Sequence, residues 1–167
     1  MKRVLIETTV GSFAAQFSER GLARLEFPSG RRSRSPMKIA TYEGDAQLRR
    51  WIAMTQRALN TILAGQTPAV LPPLDLSAGT EFQRAVWEAM KTIPTGATQS
   101  YGQIAAMIGR PKAVRAVGQA CGANPIPVLI PCHRVLAAHG RLGGFSGGLD
   151  WKLKLLAREG LFFSGLD

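Results

Sequence analysis

The chain has 167 residues, 46% of them hydrophobic, and a formal net charge of +10. This apolar content is enough to bury the core of an ordinary domain, which excludes a disordered tail and a disulfide-stapled miniprotein. No apolar run comes near the roughly 20 residues that cross a bilayer. No leader-like segment opens the chain, and its only cysteines are Cys121 and Cys132. These features predict a soluble protein of the reducing cytoplasm, with no membrane partner.

The N-terminal part reads as a small α/β domain. Alternating apolar runs predict a three-stranded meander over Val4 to Val10, Phe13 to Phe17 and Leu22 to Phe27. Asp45 is a candidate cap for a helix that ends at Gly65. Between sheet and helix, basic residues alternate with serines and predict a mobile loop. The basic residues of this loop are Arg31, Arg32, Arg34 and Lys38.

A proline-rich segment then predicts a domain boundary. It carries Pro68, Pro72 and Pro73, and prolines of this density are typical of a linker. We therefore expect an N-terminal α/β domain with its linker at residues 1–73 and a mostly helical C-terminal domain at 74–167.

Capping boxes mark the helices of the second unit. Thr80 with Gln83, and Ser100 with Gln103, have the spacing in which a hydroxyl and an amide each bond a backbone N–H. The first helix should end near Thr92, and the second before a break at 109–111. A third is expected from Lys112 to Gly122. The last two helices and their short turn have the form of a helix-turn-helix.

The predicted third helix has an apolar face and a polar stripe. The inward residues are Ala113, Val114, Val117 and Ala120, and the outward ones Lys112, Arg115, Gln119 and Gly122. Gly118 lies beside the stripe, where it either lets a partner come close or packs against a neighbouring helix; the sequence leaves both open.

The charge pattern adds a candidate partner. From Tyr101 to Leu149 the sequence contains no Asp or Glu. Its bases are Arg110, Lys112, Arg115, Arg134 and Arg141. A surface of this kind suits nucleic-acid phosphates, although a generally basic surface would give the same composition.

Cys132 is the candidate nucleophile. The apolar run 128–130 predicts a buried strand that ends at this cysteine. An isolated cysteine is usually a small buried hydrophobe. Here His133 and Arg134 follow it directly in an acid-free stretch, and these neighbours favour a thiolate.

A proton relay is the expected means of activating the thiol. Neighbours in an extended segment point to opposite sides, so a water would have to link His133 to Cys132. Glu159 is the candidate that orients the imidazole. It ends the helix predicted from Asp150 to Gly160, where a negative charge opposes the helix dipole. An ordinary solvated helix end is the alternative.

A zinc site is the rival interpretation of the same region. Its ligands would be Cys121, Cys132, His133 and His139. The spacing lacks the paired ligands of zinc sites. We therefore predict no metal.

These residues together form a recognisable set. The set consists of Pro131-Cys132-His133-Arg134-Val135, of Asn124-Pro125 before it, and of Ser146-Gly147-Gly148-Leu149 and Leu155 to Gly160 after it. In these motifs the sequence closely resembles the O6-alkylguanine-DNA alkyltransferases. The resemblance is strong from Thr80 to Gly160 and only topological before it. It implies a ribonuclease H-like N-terminal domain and no cofactor.

The resemblance also implies roles for individual residues. Cys132 would accept the alkyl group, with His133 as the water-linked base, Glu159 as its orienting acid and Asn124 as the brace of the turn. Tyr101 would help rotate the nucleotide and donate a proton, and Arg115 would fill the gap in the duplex. The residues implied in DNA contact are Tyr101, Lys112, Ala113, Arg115, Gly118 and Gln119.

The implied substrate pocket departs from the family in its wall. Its residues would be Cys121, Pro127, Val135, Phe145 and Ser146. Ser146 would lie near the guanine O6, and the backbone around Cys132 and Val135 would receive the exocyclic amine. Cys121 stands where many relatives carry methionine, and Gly144-Phe145 replaces a pair that usually ends in tyrosine.

The function implied is irreversible transfer of one alkyl group from O6-alkylguanine, and from O4-alkylthymine, in double-stranded DNA to Cys132. The protein would act as a monomer, with its recognition helix in the minor groove. A non-catalytic sensor of alkylated DNA and a Cys-His hydrolase or acyl transferase are the alternatives. Sensors of this family lack the cysteine that the sequence has.

Overall fold

The computed structural model describes residues 1–29 and 44–163. The predicted loop with Arg31, Arg32, Arg34 and Lys38 lies outside these residues. Strands β1 (Lys2–Thr8), β2 (Gly11–Phe17) and β3 (Leu22–Glu26) form an antiparallel sheet in the order β1-β2-β3. The predicted meander is therefore confirmed. Its first turn lies earlier than expected, because Gly11 already pairs with Thr8.

Helix α1 (Ala46–Leu63) packs against the sheet. As predicted, Asp45 caps it, and the Asp45 carboxylate accepts from the N–H of Leu48 at 2.9 Å. The helix ends before Gly65, which has φ of +76° and lies so close to the Arg158 carbonyl that a β-carbon would sit 2.0 Å from its oxygen. Glycine is thus required at this position by both conformation and space.

The rest of the chain is mainly helical. It contains α2 (Glu81–Lys91), α3 (Tyr101–Met107), α4 (Val114–Gly122) and α5 (Leu149–Arg158). Both predicted capping boxes are present, at Thr80 and Ser100. A short parallel pair joins β4 (Gln99–Ser100) to β5 (Val135–Leu136). None of the described helices is long and apolar enough to cross a membrane.

Helices α3 and α4 form the predicted helix-turn-helix, but α4 differs from the prediction at its start and on its inward face. Helix α4 begins at Val114, and Ala113 precedes it without a side-chain cap. This start lies two residues after Lys112, near which it was expected, because Pro111 and Lys112 belong to the turn. Val114, predicted to face inward, is 40% exposed. The buried face of the helix consists of Val117, Ala120 and Cys121.

One hydrophobic core extends from the sheet to the C-terminal helices. Backbone bonds connect the two parts: Leu22 donates to the Pro73 carbonyl at 2.8 Å, and Leu25 to the Pro125 carbonyl at 2.9 Å. The second bond ties β3 to the segment that precedes Cys132. The sheet therefore supports the region in which the candidate residues lie, and the domain boundary at residue 73 stays a prediction.

Candidate active site

The segment before Cys132 is a braced turn, so the prediction of a strand over 128–130 is wrong. The Asn124 amide donates to the Ile130 carbonyl at 2.9 Å, and its oxygen accepts from the N–H of Ile126 at 3.0 Å. Val128 has φ of +75°, which a β-branched residue adopts only where its surroundings enforce it. Asn124 thus does brace this turn. Cys132 then begins a 3-10 turn, Cys132–Arg134.

Cys132 is a buried thiol at the wall of a cavity. Only 5% of the residue is exposed. Burial raises the pKa of the thiol to about 11, against opposing effects from hydrogen bonding by Asn124 and the positive charge of Lys152. The expectation that its neighbours make it a thiolate is therefore wrong for the resting protein. This thiol would therefore need a base to remove its proton before it could act as a nucleophile.

His133 has the properties of such a base. Its Nε2 lies 3.1 Å from the Glu159 carboxylate, and both side chains are buried. Burial lowers the pKa of the imidazole, so it is neutral at pH 7. Nε2 then carries the hydrogen and donates to Glu159. The buried Nδ1 has no hydrogen-bond partner among the described residues and is left to accept a proton.

Glu159 is part of a buried ion pair, which excludes the alternative of an ordinary solvated helix end. Its side chain is 1% exposed. Arg134 donates from Nε to both carboxylate oxygens at 3.0 Å and from Nη2 at 2.6 Å. Gly96 adds a backbone N–H at 3.2 Å. Burial alone would raise the pKa of Glu159, but the bonds from His133 and Arg134 outweigh it and hold the pKa at about 2.

Two details of this region differ from expectation. Arg134, counted above among the surface bases, is buried and also donates to the Ile93 carbonyl at 2.8 Å. Helix α5 begins after Gly148, which places Asp150 within its first turn, and Glu159 is the C-terminal cap.

A cavity of about 690 Å³ brings many of the predicted residues together. Its lining residues are Tyr101, Val114, Arg115, Gly118, Gln119, Cys121, Gly122, Cys132, Gly144, Phe145 and Ser146. Burial raises the pKa of the Tyr101 phenol. This hydroxyl therefore keeps its proton at neutral pH and is available as a donor.

Four of the residues predicted to contact DNA or to form the substrate pocket do not line this cavity. Val135 is fully buried, and its carbonyl accepts from Lys152 at 2.8 Å. Pro127 lines a neighbouring cavity of about 510 Å³. Lys112 and Ala113 lie in the turn before α4.

Gly118 faces open space. A β-carbon built there would meet nothing within 4 Å. Packing against a neighbouring helix therefore does not explain this glycine. Gly118 lines the cavity, and its role in contact with a partner stays a prediction.

Sequence reasoning missed Lys152. This residue is 0% exposed, and its ammonium donates to backbone carbonyls beside the cavity. A signal existed, because Lys152 lies on the buried stripe of α5 with Leu155 and Leu156, at spacings of three and four residues. A lysine on the apolar stripe of a helix indicates either a buried hydrogen-bonding partner or a functional role for its charge.

The sequence of this chain is similar to those of known proteins. A family model described as 6-O-methylguanine DNA methyltransferase, DNA binding domain, matches residues 81–161. A methylated-DNA–protein-cysteine methyltransferase of Methanosarcina acetivorans is 39% identical over 160 residues, covering 96% of this chain and 99% of the relative. A protein of the same name from Mycolicibacterium paratuberculosis is 54% identical over 101 residues, covering 60% of this chain and 61% of that relative.

Solved structures show the same likeness. The crystal structure of Mycobacterium tuberculosis OGT in complex with DNA has a TM-score of 0.75 at 36% identity, covering 95% of this chain and 92% of that one. An O6-methylguanine DNA methyltransferase from Methanococcus jannaschii has a TM-score of 0.65 at 27% identity, covering 99% and 97%. The chain belongs to the family of methylated-DNA–protein-cysteine methyltransferases. The fold class and enzyme class predicted from the sequence are thereby confirmed.

Proposed function

We propose that the protein repairs DNA by moving one alkyl group from O6-alkylguanine to the sulfur of Cys132. Membership of the family supports alkyl transfer from DNA to a cysteine. The observation that supports Cys132 as the acceptor is its place beside the cavity, next in sequence to His133 of the buried His133–Glu159 pair. Cys121 lines the same cavity, but its thiol contacts the Met90 sulfur at 3.5 Å, and burial raises its pKa to about 12.

The proposed reaction moves one alkyl group and balances its protons. A bridging water passes the thiol proton to Nδ1 of His133, and Glu159 stabilises the imidazolium that forms. The sulfur attacks the alkyl carbon, the bond from that carbon to O6 breaks, and the electron pair stays with the guanine. Tyr101 donates a proton toward the departing base. The product is a thioether, which water does not readily hydrolyse, so each molecule reacts once.

Access to the base requires that it leave the duplex. An O6-alkyl group lies within the base stack, and flipping the nucleotide costs a few kcal/mol. We propose that α4 enters the minor groove, that Arg115 fills the vacated space and that Gly118 allows close approach of the DNA. The exposed bases of this region, Arg110 and Lys112, would contact phosphates.

Further features of the proposal are activity on O4-alkylthymine, a monomeric state and a cytoplasmic location. O4-alkylthymine presents the same alkyl–oxygen bond to the thiol. The free thiols of Cys121 and Cys132 agree with a reducing compartment.

Intact-mass spectrometry tests the acceptor. After incubation with a duplex containing O6-methylguanine, the protein mass should rise by one methyl group, located on the peptide that carries Cys132. Cys121→Ala should still be methylated, and Cys132→Ala should not. Methylation that persists in Cys132→Ala would overturn the assignment, and damage binding without transfer would indicate the sensor.

Replacing Arg115 with alanine should separate flipping from chemistry. We expect repair of duplex DNA to slow by roughly 10-fold or more, since the lost contact supports an extrahelical base that costs a few kcal/mol. Reaction with free O6-methylguanine base should change little. Arg158→Ala, an exposed base outside the cavity lining, is the control. Equal losses on both substrates in Arg115→Ala would contradict the role of Arg115.

A further inference from the structure

The ammonium of Lys152 lies between two parts of the site. It projects from α5, and its Nζ donates to the carbonyls of Val135 at 2.8 Å, Leu142, and Gly144 at 3.4 Å. These contacts use all three hydrogens of the ammonium. The side chain therefore has one fixed position.

The contacts join two segments, the Cys132–Arg134 turn (the acceptor turn) and the cavity wall formed by residues 142–146. Val135 directly follows the Cys132–Arg134 turn. Leu142 and Gly144 lead into Phe145 and Ser146, which line the same cavity as Cys132. A single ammonium thus ties the acceptor turn to the segment that carries these two lining residues.

The charge of Lys152 is buried without an opposite charge. Among the described residues no carboxylate forms an ion pair with it, and burial lowers its pKa to about 8. The titratable groups whose charges act on it are the thiols of Cys121 and Cys132, together with His133. A buried cation that lacks a carboxylate is costly. A thiolate forming at Cys132 would supply the missing negative charge.

We propose that Lys152 is a positioning residue for the transfer reaction: it holds the 142–146 wall at the acceptor turn, and its charge stabilises the Cys132 thiolate as the proton leaves. The inference rests on the proposed function, because it requires Cys132 to be the acceptor. It adds a residue that touches neither the DNA nor the alkyl group.

The test compares three substitutions in the full-length protein. Lys152→Met removes the charge and the donors but keeps an unbranched side chain. Lys152→Arg keeps the charge but replaces the compact ammonium with a planar group that fits the three carbonyls poorly. Lys154→Met is the control, because it replaces lysine with methionine at an exposed position two residues after Lys152. Each variant is assayed for affinity for O6-methylguanine duplex, single-turnover methyl transfer at saturating DNA, and the pH dependence of Cys132 alkylation by iodoacetamide.

The expected results separate positioning from general stability. Lys152→Met should bind DNA nearly as well as wild type but transfer roughly 100-fold more slowly, as for a displacement of about 1 Å at a reacting centre. At neutral pH, where the ammonium of the wild-type protein is charged, the Cys132 of this variant should react with iodoacetamide more slowly than in wild type. Lys152→Arg should keep the wild-type alkylation rate of Cys132 at neutral pH but still transfer slowly, and Lys154→Met should match wild type throughout.

Other outcomes overturn the inference. If folded Lys152→Met transfers at the wild-type rate, Lys152 is not a positioning residue. If Lys152→Met does not fold, Lys152→Arg decides, and wild-type transfer by that variant overturns the positioning role. If wild type itself places no methyl group on Cys132, the proposed function has failed, and that result is visible before any variant is compared.

Discussion

Replacing His133 with asparagine is expected to slow methyl transfer at neutral pH by roughly 100- to 10,000-fold, the contribution typical of a general base. Asparagine can still donate to Glu159, but it has no group that accepts the thiol proton. The buried thiol, with a pKa of about 11, would have to ionise unaided. Single-turnover rates at saturating DNA measure the loss.

The pH profile distinguishes a missing base from a damaged site. Because burial lowers the pKa of His133, the imidazole of the wild-type protein is neutral from about pH 7 upward. The transfer rate should therefore stay level from about pH 7 to about pH 8, where Lys152 begins to lose its charge. The rate of His133→Asn should instead rise about 10-fold per pH unit with the thiolate fraction. His139→Asn, which alters an exposed histidine, should leave the rate and the profile unchanged. A level profile in His133→Asn would contradict the proposed role of His133.

Replacing Glu159 with glutamine is expected to lower the free energy of unfolding by about 3 kcal/mol at pH 7, because it leaves the Arg134 guanidinium buried without its counter-charge. Transfer should also slow, since His133 loses the carboxylate that stabilises its charged form. Denaturant unfolding measures the stability. Glu88→Gln is the matched control: Glu88 pairs with Lys91 at 3.1 Å with 60% of its side chain exposed, so its loss should change the stability by less than about 1 kcal/mol.

Acid should remove the difference in the free energy of unfolding between wild type and Glu159→Gln. The pKa of this carboxyl is about 2 in the folded protein and about 4.3 in an unfolded chain. Its stabilisation is therefore full above the unfolded value and is lost as the pH falls from there toward 2. The two stability curves should converge over that range. A gap that stays constant down to pH 2 would show that the ion pair is not its source.

The elements that follow local rules could be predicted from the sequence. The capping boxes at Thr80 and Ser100 and the helix that Asp45 caps depend on residues three or four positions apart. The strand expected over 128–130 failed because an apolar run is equally compatible with a buried turn. The hydrogen bonds of Asn124 and the positive φ of Val128 decide between the two.

The site could be predicted only where the family resemblance covers it. Tyr101, Arg115 and Ser146 are far apart in sequence, and no spacing rule places them at one cavity. The sequence also failed to predict the protonation of Cys132, because burial, which raises its pKa, depends on the whole fold. Arg134 was expected on the surface and Lys152 was not predicted at all, for the same reason. Only the tertiary structure brings Glu159 to Arg134 and backbone carbonyls to Lys152.

Titration with damaged DNA tests the central claim most directly. The protein is incubated with rising amounts of O6-methylguanine duplex, up to a large excess, and transferred methyl groups are counted per protein by intact-mass and peptide spectrometry. If Cys132 is an acceptor consumed in the reaction, transfer should stop at one methyl group per protein, all of it on the Cys132 peptide. Repair of many duplexes per protein molecule, or a plateau of methyl groups on any other residue, would contradict it.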